Sequence, residues 1–135
     1  MDISLERDER CFCCGRNNEH GLHLSVGYPE KGTSETTFTI PERFSGWREM
    51  THGGLLSMVL DELMAHACIS AGVRAVTAEL TVRFVRPVAT GESVRVQGKV
   101  SEERGKLIAT EGRIEGADGT AIAQATARFL KRGGD

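Results

Sequence analysis

Apolar and polar residues alternate through four successive runs in the second half of the chain: residues 76 to 86 (VTAELTVRFVR), 92 to 103 (ESVRVQGKVSEE), 106 to 115 (KLIATEGRIE) and 120 to 130 (TAIAQATARFL). A period of two predicts strands. Pro87, Ala89-Thr90-Gly91, Arg104-Gly105 and Ala117-Asp118-Gly119 separate the runs, and such short turns predict neighbouring antiparallel strands. Nearer the N-terminus, Leu22, Leu24 and Val26 alternate with His23 and Ser25, which predicts a first strand. After the turn Pro29-Glu30-Lys31-Gly32, residues 33 to 40 (TSETTFTI) predict a second, which Pro41 ends. Between these halves the period changes. Leu56, Leu60, Leu63 and Ala67 recur at helical spacing, so residues 53 to 71 form the one long helix. Thr51 or His52 stands at its N-cap and Gly72 where it stops. The order is two strands, a helix and four strands. A lone helix must bury its apolar stripe on one face of a strongly curved sheet, so the fold class is α+β.

Composition narrows the function classes. The chain of 135 residues suits one domain, 1–135, with residues 1 to 21 as an N-terminal extension. Residues 1 to 10 are polar and read as a short helix or a frayed end; residues 11 to 21 (CFCCGRNNEHG) read as a loop. A net charge of −2 gives no basic face for nucleic acid. No run approaches the roughly 18 apolar residues of a membrane span. The mixed, acidic start is unlike a signal peptide, so the expected location is the cytoplasm, with Cys11, Cys13, Cys14 and Cys68 reduced.

The chemistry concentrates in residues 50 to 62 (MTHGGLLSMVLDE). Gly53 and Gly54 open the helix, where backbone N–H groups lack helical partners and the dipole favours negative charge. Asp61 lies two turns further along. An anion-stabilising group and an acid/base group on one short element suit a reaction that passes through an oxyanion.

These residues resemble those of a hotdog-fold thioesterase, in the phenylacetate-type branch of the acyl-coenzyme A thioesterases. The resemblance rests on His52-Gly53-Gly54 at the helix start with Asp61 after it, and on Leu60-Asp61-Glu62. It extends to the CFxCG opening (Cys11 to Gly15) with the later His20-Gly21-Leu22, the run Thr77 to Phe84, and Arg86-Pro87-Val88. It implies a curved antiparallel sheet wrapped around the helix and an acyl-coenzyme A substrate. It also implies a homodimer, often paired into a homotetramer, with active sites at the dimer interface. In such enzymes the thioester carbonyl lies at the helix N-terminus, and the helical carboxylate acts as nucleophile or as base on water. A Thr or Ser of the partner subunit places that water.

Carried onto this chain, the resemblance makes Gly54 the oxyanion donor, with Gly53 allowing close approach. Asp61 is the catalytic carboxylate, its base strength raised by desolvation. Thr77 is the water-placing hydroxyl, reaching the pair from the other chain. Glu62 stands four residues before His66, a spacing that suits a solvated surface pair. His52 contacts substrate or orders the loop before the helix. Relatives often carry an Asn or Gln several residues before this motif; residues 44 to 49 (FSGWRE) hold neither, so Trp47 lines the acyl pocket instead, with Met58. Arg83 and Arg86 are candidates for the coenzyme A phosphates, although Thr77, Glu79, Thr81 and Arg83 share one strand face where Arg83 also fits a solvated position. Cys11, Cys14, His20 and His23 form a C-x2-C-x5-H-x2-H array that zinc can use. The family chemistry needs no metal, and neither metal nor cofactor is expected.

The leading reading is therefore hydrolysis of an acyl-coenzyme A thioester. A non-catalytic acyl-coenzyme A binding module would use the same pocket without needing Asp61. A hydratase acting on enoyl thioesters would call for a different arrangement of acid and histidine.

Overall fold

The computed structural model of the protein describes residues 5 to 132. In chain order they form β1 (Thr33–Thr39), a 3-10 turn (Glu42–Phe44), α1 (Gly53–Ser70), β2 (Ala75–Phe84), β3 (Ser93–Arg104), β4 (Leu107–Gly116) and β5 (Ala121–Lys131). The strands make one antiparallel sheet in the order β1-β3-β4-β5-β2. β3, β4 and β5 are consecutive hairpins. β1 pairs with β3 at one edge and β2 with β5 at the other. Because α1 connects the two edge strands, it has to cross the inner face, and the sheet curves around it.

Two sequence expectations fail. Leu22, Leu24 and Val26 do not form a strand. His23 has φ 52, a left-handed conformation that breaks the pleat, and Leu22 and Leu24 donate to the Phe12 and Cys13 carbonyls instead. Nor do β2 and β3 pair, despite the short connection around Gly91. Each finds a different partner at opposite ends of the sheet, so this connection is a crossover. Residues 1 to 4 of the expected short helix or frayed end lie outside the described residues, and residues 5 to 10 form no helix.

The helix is buried well beyond one stripe. Leu55, Leu56, Val59, Leu60, Leu63, Met64, Ala67 and Cys68 are all buried, joined by Phe129, Ile108, Ile114 and Val96 from the sheet. Such close packing needs a sheet surface without side chains at the point of contact. Gly98 on β3 and Gly112 on β4 supply it, for they stand directly opposite each other in the ladder. A Cβ on Gly98 would be driven into the Leu63 carbonyl and the Met64 N–H. A Cβ on Gly112 would meet Leu60 Cδ2 at 3.1 Å and Met64 Cγ at 3.3 Å. Beside this notch the buried Ser34 hydroxyl of β1 donates to the Leu63 carbonyl. At the far end, Ser70 Oγ donates to the Glu30 carbonyl at 3.1 Å and accepts from the Gly32 N–H at 3.0 Å, tying the last turn to the loop before β1.

The two glycines should differ in what they tolerate. Gly98→Ala collides with backbone that cannot move without lifting the helix, and should cost about 3 kcal/mol, the upper end of overpacking penalties. Gly112→Ala meets mostly side-chain ends and lowers the entropy of the unfolded chain, which offsets part of the clash, so a cost of about 1 kcal/mol is expected. Urea unfolding of both variants checks this; equal costs would remove the notch as the explanation.

Candidate active site

The start of α1 is fixed from two sides. His52 N–H donates to the Phe44 carbonyl at 2.9 Å, and Thr51 N–H donates to the Val88 carbonyl at 2.9 Å, so the 3-10 turn and the β2–β3 crossover set where the helix begins. His52 is the N-cap, and its Nδ1 accepts from the Gly54 N–H at 2.8 Å. That contact satisfies one of the free donors of the first turn. The Gly54 N–H therefore has an acceptor within the chain. A Cβ on Gly53 would touch Phe84 at 3.3 Å, so the glycine lets the edge strand β2 lie against the helix start. The Thr51 hydroxyl nearby is buried without a hydrogen-bond partner.

A hollow of about 300 Å³ opens beside this turn, lined by Phe12, Arg43, Phe44, Ser45, His52, Gly54, Leu55 and Met58. Phe12 and Phe44 meet edge to face with centroids 6.1 Å apart, and the Arg43 guanidinium lies 4.8 Å over the Phe44 ring. A larger depression of about 700 Å³, lined by Glu35, Arg95, Lys99 and Arg113 among others, contains none of the residues singled out from the sequence.

Asp61 is half-buried on the same side of α1 as Gly54. Seven residues place their Cα atoms about 10 Å apart along the axis. The backward tilt of helical side chains brings the carboxylate toward the helix start. Thr77 Oγ1 donates to Asp61 Oδ1 at 2.6 Å within the same chain. The expectation that Thr77 reaches Asp61 from a partner subunit therefore fails, and a β-bulge explains it. In the β2–β5 ladder Thr77 faces Phe129 while Glu79 faces Arg128, leaving Ala78 as the extra residue. Phe129 points inward, so Thr77 does too. Glu79, Thr81 and Arg83 then share the outer face with Arg128, Thr126 and Gln124. The predicted face that joined Thr77 to Arg83 is broken at that point. Burial raises the Asp61 carboxyl above its ordinary value. The Thr77 hydrogen bond pulls it back in part, and the Glu62 charge adds to the rise.

Glu62 is not a solvated surface acid. Its side chain is 16% exposed and that of His66 only 5%. His66 Nε2 lies 3.1 Å from Glu62 Oε2, and Tyr28 Oη lies 2.8 Å from His66 Nδ1. The Cys11 thiol donates to the same carboxylate oxygen at 3.8 Å. Burial alone would raise the Glu62 carboxyl. The hydrogen bonds from His66 and Cys14, the His66 charge and the Cys11 contact together hold it below its ordinary value. Two successive acids on one helix are thus driven in opposite directions.

The other candidates are placed elsewhere. Trp47 is 83% exposed and does not line the hollow. Arg83 is exposed on the outer face. Arg86 is spent on the β4–β5 turn, donating to Thr120 Oγ1 at 2.7 and 3.0 Å and lying 3.6 Å from Asp118. Arg43, which the sequence did not mark, is the guanidinium of the hollow. His20 is exposed, and His23 Nε2 sits 2.6 Å from the Asn18 carbonyl, so neither joins Cys11 and Cys14. Glu62 takes that place instead.

The thioesterase superfamily model matches residues 49–123. The acyl-coenzyme A thioesterase PaaI of Escherichia coli K12 is 27% identical over 82 residues, which span 61% of this chain and 59% of that protein. A solved thioesterase superfamily protein superposes with a TM-score of 0.87 at 24% identity, over 95% of this chain and 68% of its own. A hypothetical thioesterase of Streptococcus pneumoniae TIGR4, solved with coenzyme A, has a TM-score of 0.77 at 16% identity, covering 82% of this chain and 89% of that one. That protein has also been solved with an aspartate replaced by alanine and with a threonine, 16 positions later, replaced by alanine. The arrangement of one helix in a curved five-stranded sheet is the hotdog fold.

Thr77 stabilises the charged form of Asp61, so removing its hydroxyl favours the neutral form. In Thr77→Val the Asp61 carboxyl should titrate at higher pH than in the wild type, read from its side-chain carbon shift by NMR. An unchanged or lower value would contradict the hydrogen bond.

Proposed function

We propose, since this chain belongs to the thioesterase superfamily, that it hydrolyses an acyl-coenzyme A thioester with Asp61 as general base on water. The Asp61–Thr77 contact of 2.6 Å carries this reading. It holds Oδ1 and leaves Oδ2 free to take a proton, on a half-buried carboxyl whose base strength is raised. The same spacing of 16 residues separates the aspartate and the threonine replaced in the streptococcal thioesterase, which supports the pairing.

The steps follow from the positions. The acyl group enters the hollow beside Phe12, Phe44, Leu55 and Met58, with its carbonyl oxygen at the first turn of α1. There it replaces His52 Nδ1 as acceptor of the Gly54 N–H. Water adds to the carbonyl carbon as Asp61 takes its proton, and the oxygen becomes an oxyanion held by that N–H. One such donor contributes about 3 kcal/mol to the transition state. The tetrahedral intermediate then collapses. The carbon–sulfur bond breaks, the coenzyme A thiolate leaves, and the proton on Asp61 returns to it. A thiolate is a good leaving group, so no separate strong acid is required. Arg43 is the cation placed to meet an anionic part of the substrate.

The functional unit we propose is a homodimer. Phe84, the last residue of the edge strand, lies beside the helix start and is 53% exposed; Val85 just after it is 50% exposed, and Trp47 is more exposed still. A second copy covering them would close the hollow. Val85→Glu should turn the dimer into a monomer by light scattering; a wild type that is already monomeric would refute this.

The hydrolysis is tested with a panel of short, medium, long and aryl acyl-coenzyme A substrates. The wild type should turn over at least one. Asp61→Asn should lower kcat by about 10²- to 10⁴-fold, the usual worth of a general base, with KM little changed. Activity should fall on the acid side as Asp61 protonates, above the ordinary carboxylate range. No wild-type turnover on any member would leave a binding module, in which Asp61→Asn binds acyl-coenzyme A as the wild type does.

A further inference from the structure

We infer that Cys11, Cys14 and Glu62 form a binding site for one soft divalent cation of the zinc type, which pins the N-terminal loop onto the central helix. The thiols of Cys11 and Cys14 and a carboxylate oxygen of Glu62 all lie within 4.8 Å of one another, and Cys11 Sγ is 3.8 Å from Glu62 Oε2. Tetrahedral zinc with ordinary bond lengths sets sulfur and oxygen ligands about 3.6 Å apart, so the cluster needs only a small contraction. Two thiolates and a carboxylate suit zinc better than magnesium or calcium, which take oxygen ligands. Water completes the fourth position.

Two further observations point to an ion rather than a chance cluster. The loop is wound as a tight knuckle around the two cysteines. Gly15 N–H donates to the Cys11 carbonyl at 2.9 Å, and a Cβ on Gly15 would be driven into the Glu9 carbonyl and the Cys11 N–H. The glycine after the second cysteine is therefore a steric requirement of the turn. Glu62 is also braced from behind. An ionised carboxylate only accepts hydrogen bonds, so His66 Nε2 carries the proton given to it, and His66 Nδ1 pairs with the Tyr28 hydroxyl at 2.8 Å. Hydrogen-bonded outer partners of this kind orient the ligands of metal sites. His66 and Tyr28 are thus positioning residues for Glu62. The ion also has a mechanical role. Phe12 lies between the two cysteines and lines the hollow at the helix start, so pinning the loop fixes one wall of that hollow.

Binding releases the thiol protons to solvent and changes no oxidation state. The test uses the full chain, kept reduced, stripped with a chelator and titrated with Zn(II) and, separately, Co(II). The wild type should bind one equivalent and show thiolate-to-cobalt charge-transfer absorption. Cys11→Ser and Cys14→Ser should lose that absorption. His66→Gln should weaken zinc binding about tenfold, as removal of an outer partner does. The His20→Ala/His23→Ala double variant should bind as the wild type does. Zinc should raise the Tm of the wild type and not that of the cysteine variants. If a cysteine variant does not fold, Glu62→Gln decides: weaker binding supports the site, and unchanged binding overturns it. The proposal is also overturned if the reduced wild type takes up no metal, if Cys14→Ser binds as tightly as the wild type, or if the double histidine variant loses binding. A Cys11–Cys14 disulfide that forms on oxidation in a chain that never bound metal would overturn it as well.

Discussion

The contact between the Leu60–Met64 turn of α1 and the Gly98–Gly112 pair governs the rest of the structure. Two opposed glycines leave a flat notch in the sheet: the helix backbone lies against Gly98 with no room for a Cβ, and the Leu60 and Met64 side chains cover Gly112. This fixes the rotation of the helix as well as its depth. Leu60 and Met64 face the notch, so the residues after Leu60 must leave it on either side, about 100° apart on the helix. Asp61 emerges toward β2 and meets Thr77. Glu62 emerges toward the N-terminal loop and meets Cys11 and Cys14. The two neighbouring acids acquire different partners because one packing contact sets where each points.

Their electrostatics follow from those partners. Asp61 loses solvent and gains a single neutral donor, so its charge is incompletely compensated and its carboxyl rises. Glu62 loses solvent too, but its several donors outweigh the loss and its carboxyl falls. By linkage, Glu62 stabilises the fold above its unfolded value, and that contribution is lost as pH falls through the folded one. Asp61 has the opposite sign. Its ionised form costs stability once pH exceeds the unfolded value, and protonation on going down through the raised folded value relieves that cost. In the proposed reaction, the ionised Asp61 that serves as base is therefore held at some cost to stability.

Local pattern made most elements legible. Five of the six predicted strands and the helix stand within about two residues of where periodicity put them. What it could not supply was contact between distant residues. The Gly91 turn reads like a hairpin, but the pairing of β2 is decided by β5 at the other edge. Leu22, Leu24 and Val26 alternate as a strand does, and one left-handed residue, His23, cancels the pattern. The Ala78 bulge is silent in the sequence, yet it turns Thr77 inward and leaves Arg83 outside. For Glu62, an i,i+4 histidine is the same signal whether a loop covers the pair or not. Only the tertiary position of Cys11 and Cys14 distinguishes the cases. The two mid-strand glycines were a visible clue, since glycine weakens a strand interior and marks close backbone approach there.

On the proposed reading, the opening turn of α1 lets an oxyanion site coexist with a stable helix. A free N–H at a helix start must find an acceptor, supplied by a side chain, by water or by a ligand. His52 supplies one, so the chain caps its own helix. A carbonyl oxygen that develops negative charge is a better acceptor than a neutral imidazole nitrogen, because charge-assisted hydrogen bonds are about twice as strong as neutral ones. The exchange is therefore close to neutral for the ground-state thioester and favourable for the oxyanion. Discrimination of that sign, strongest where charge is greatest, is what transition-state binding requires. If the substrate carbonyl binds as proposed, the cap that stabilises the first turn also keeps the ground state from being held too tightly.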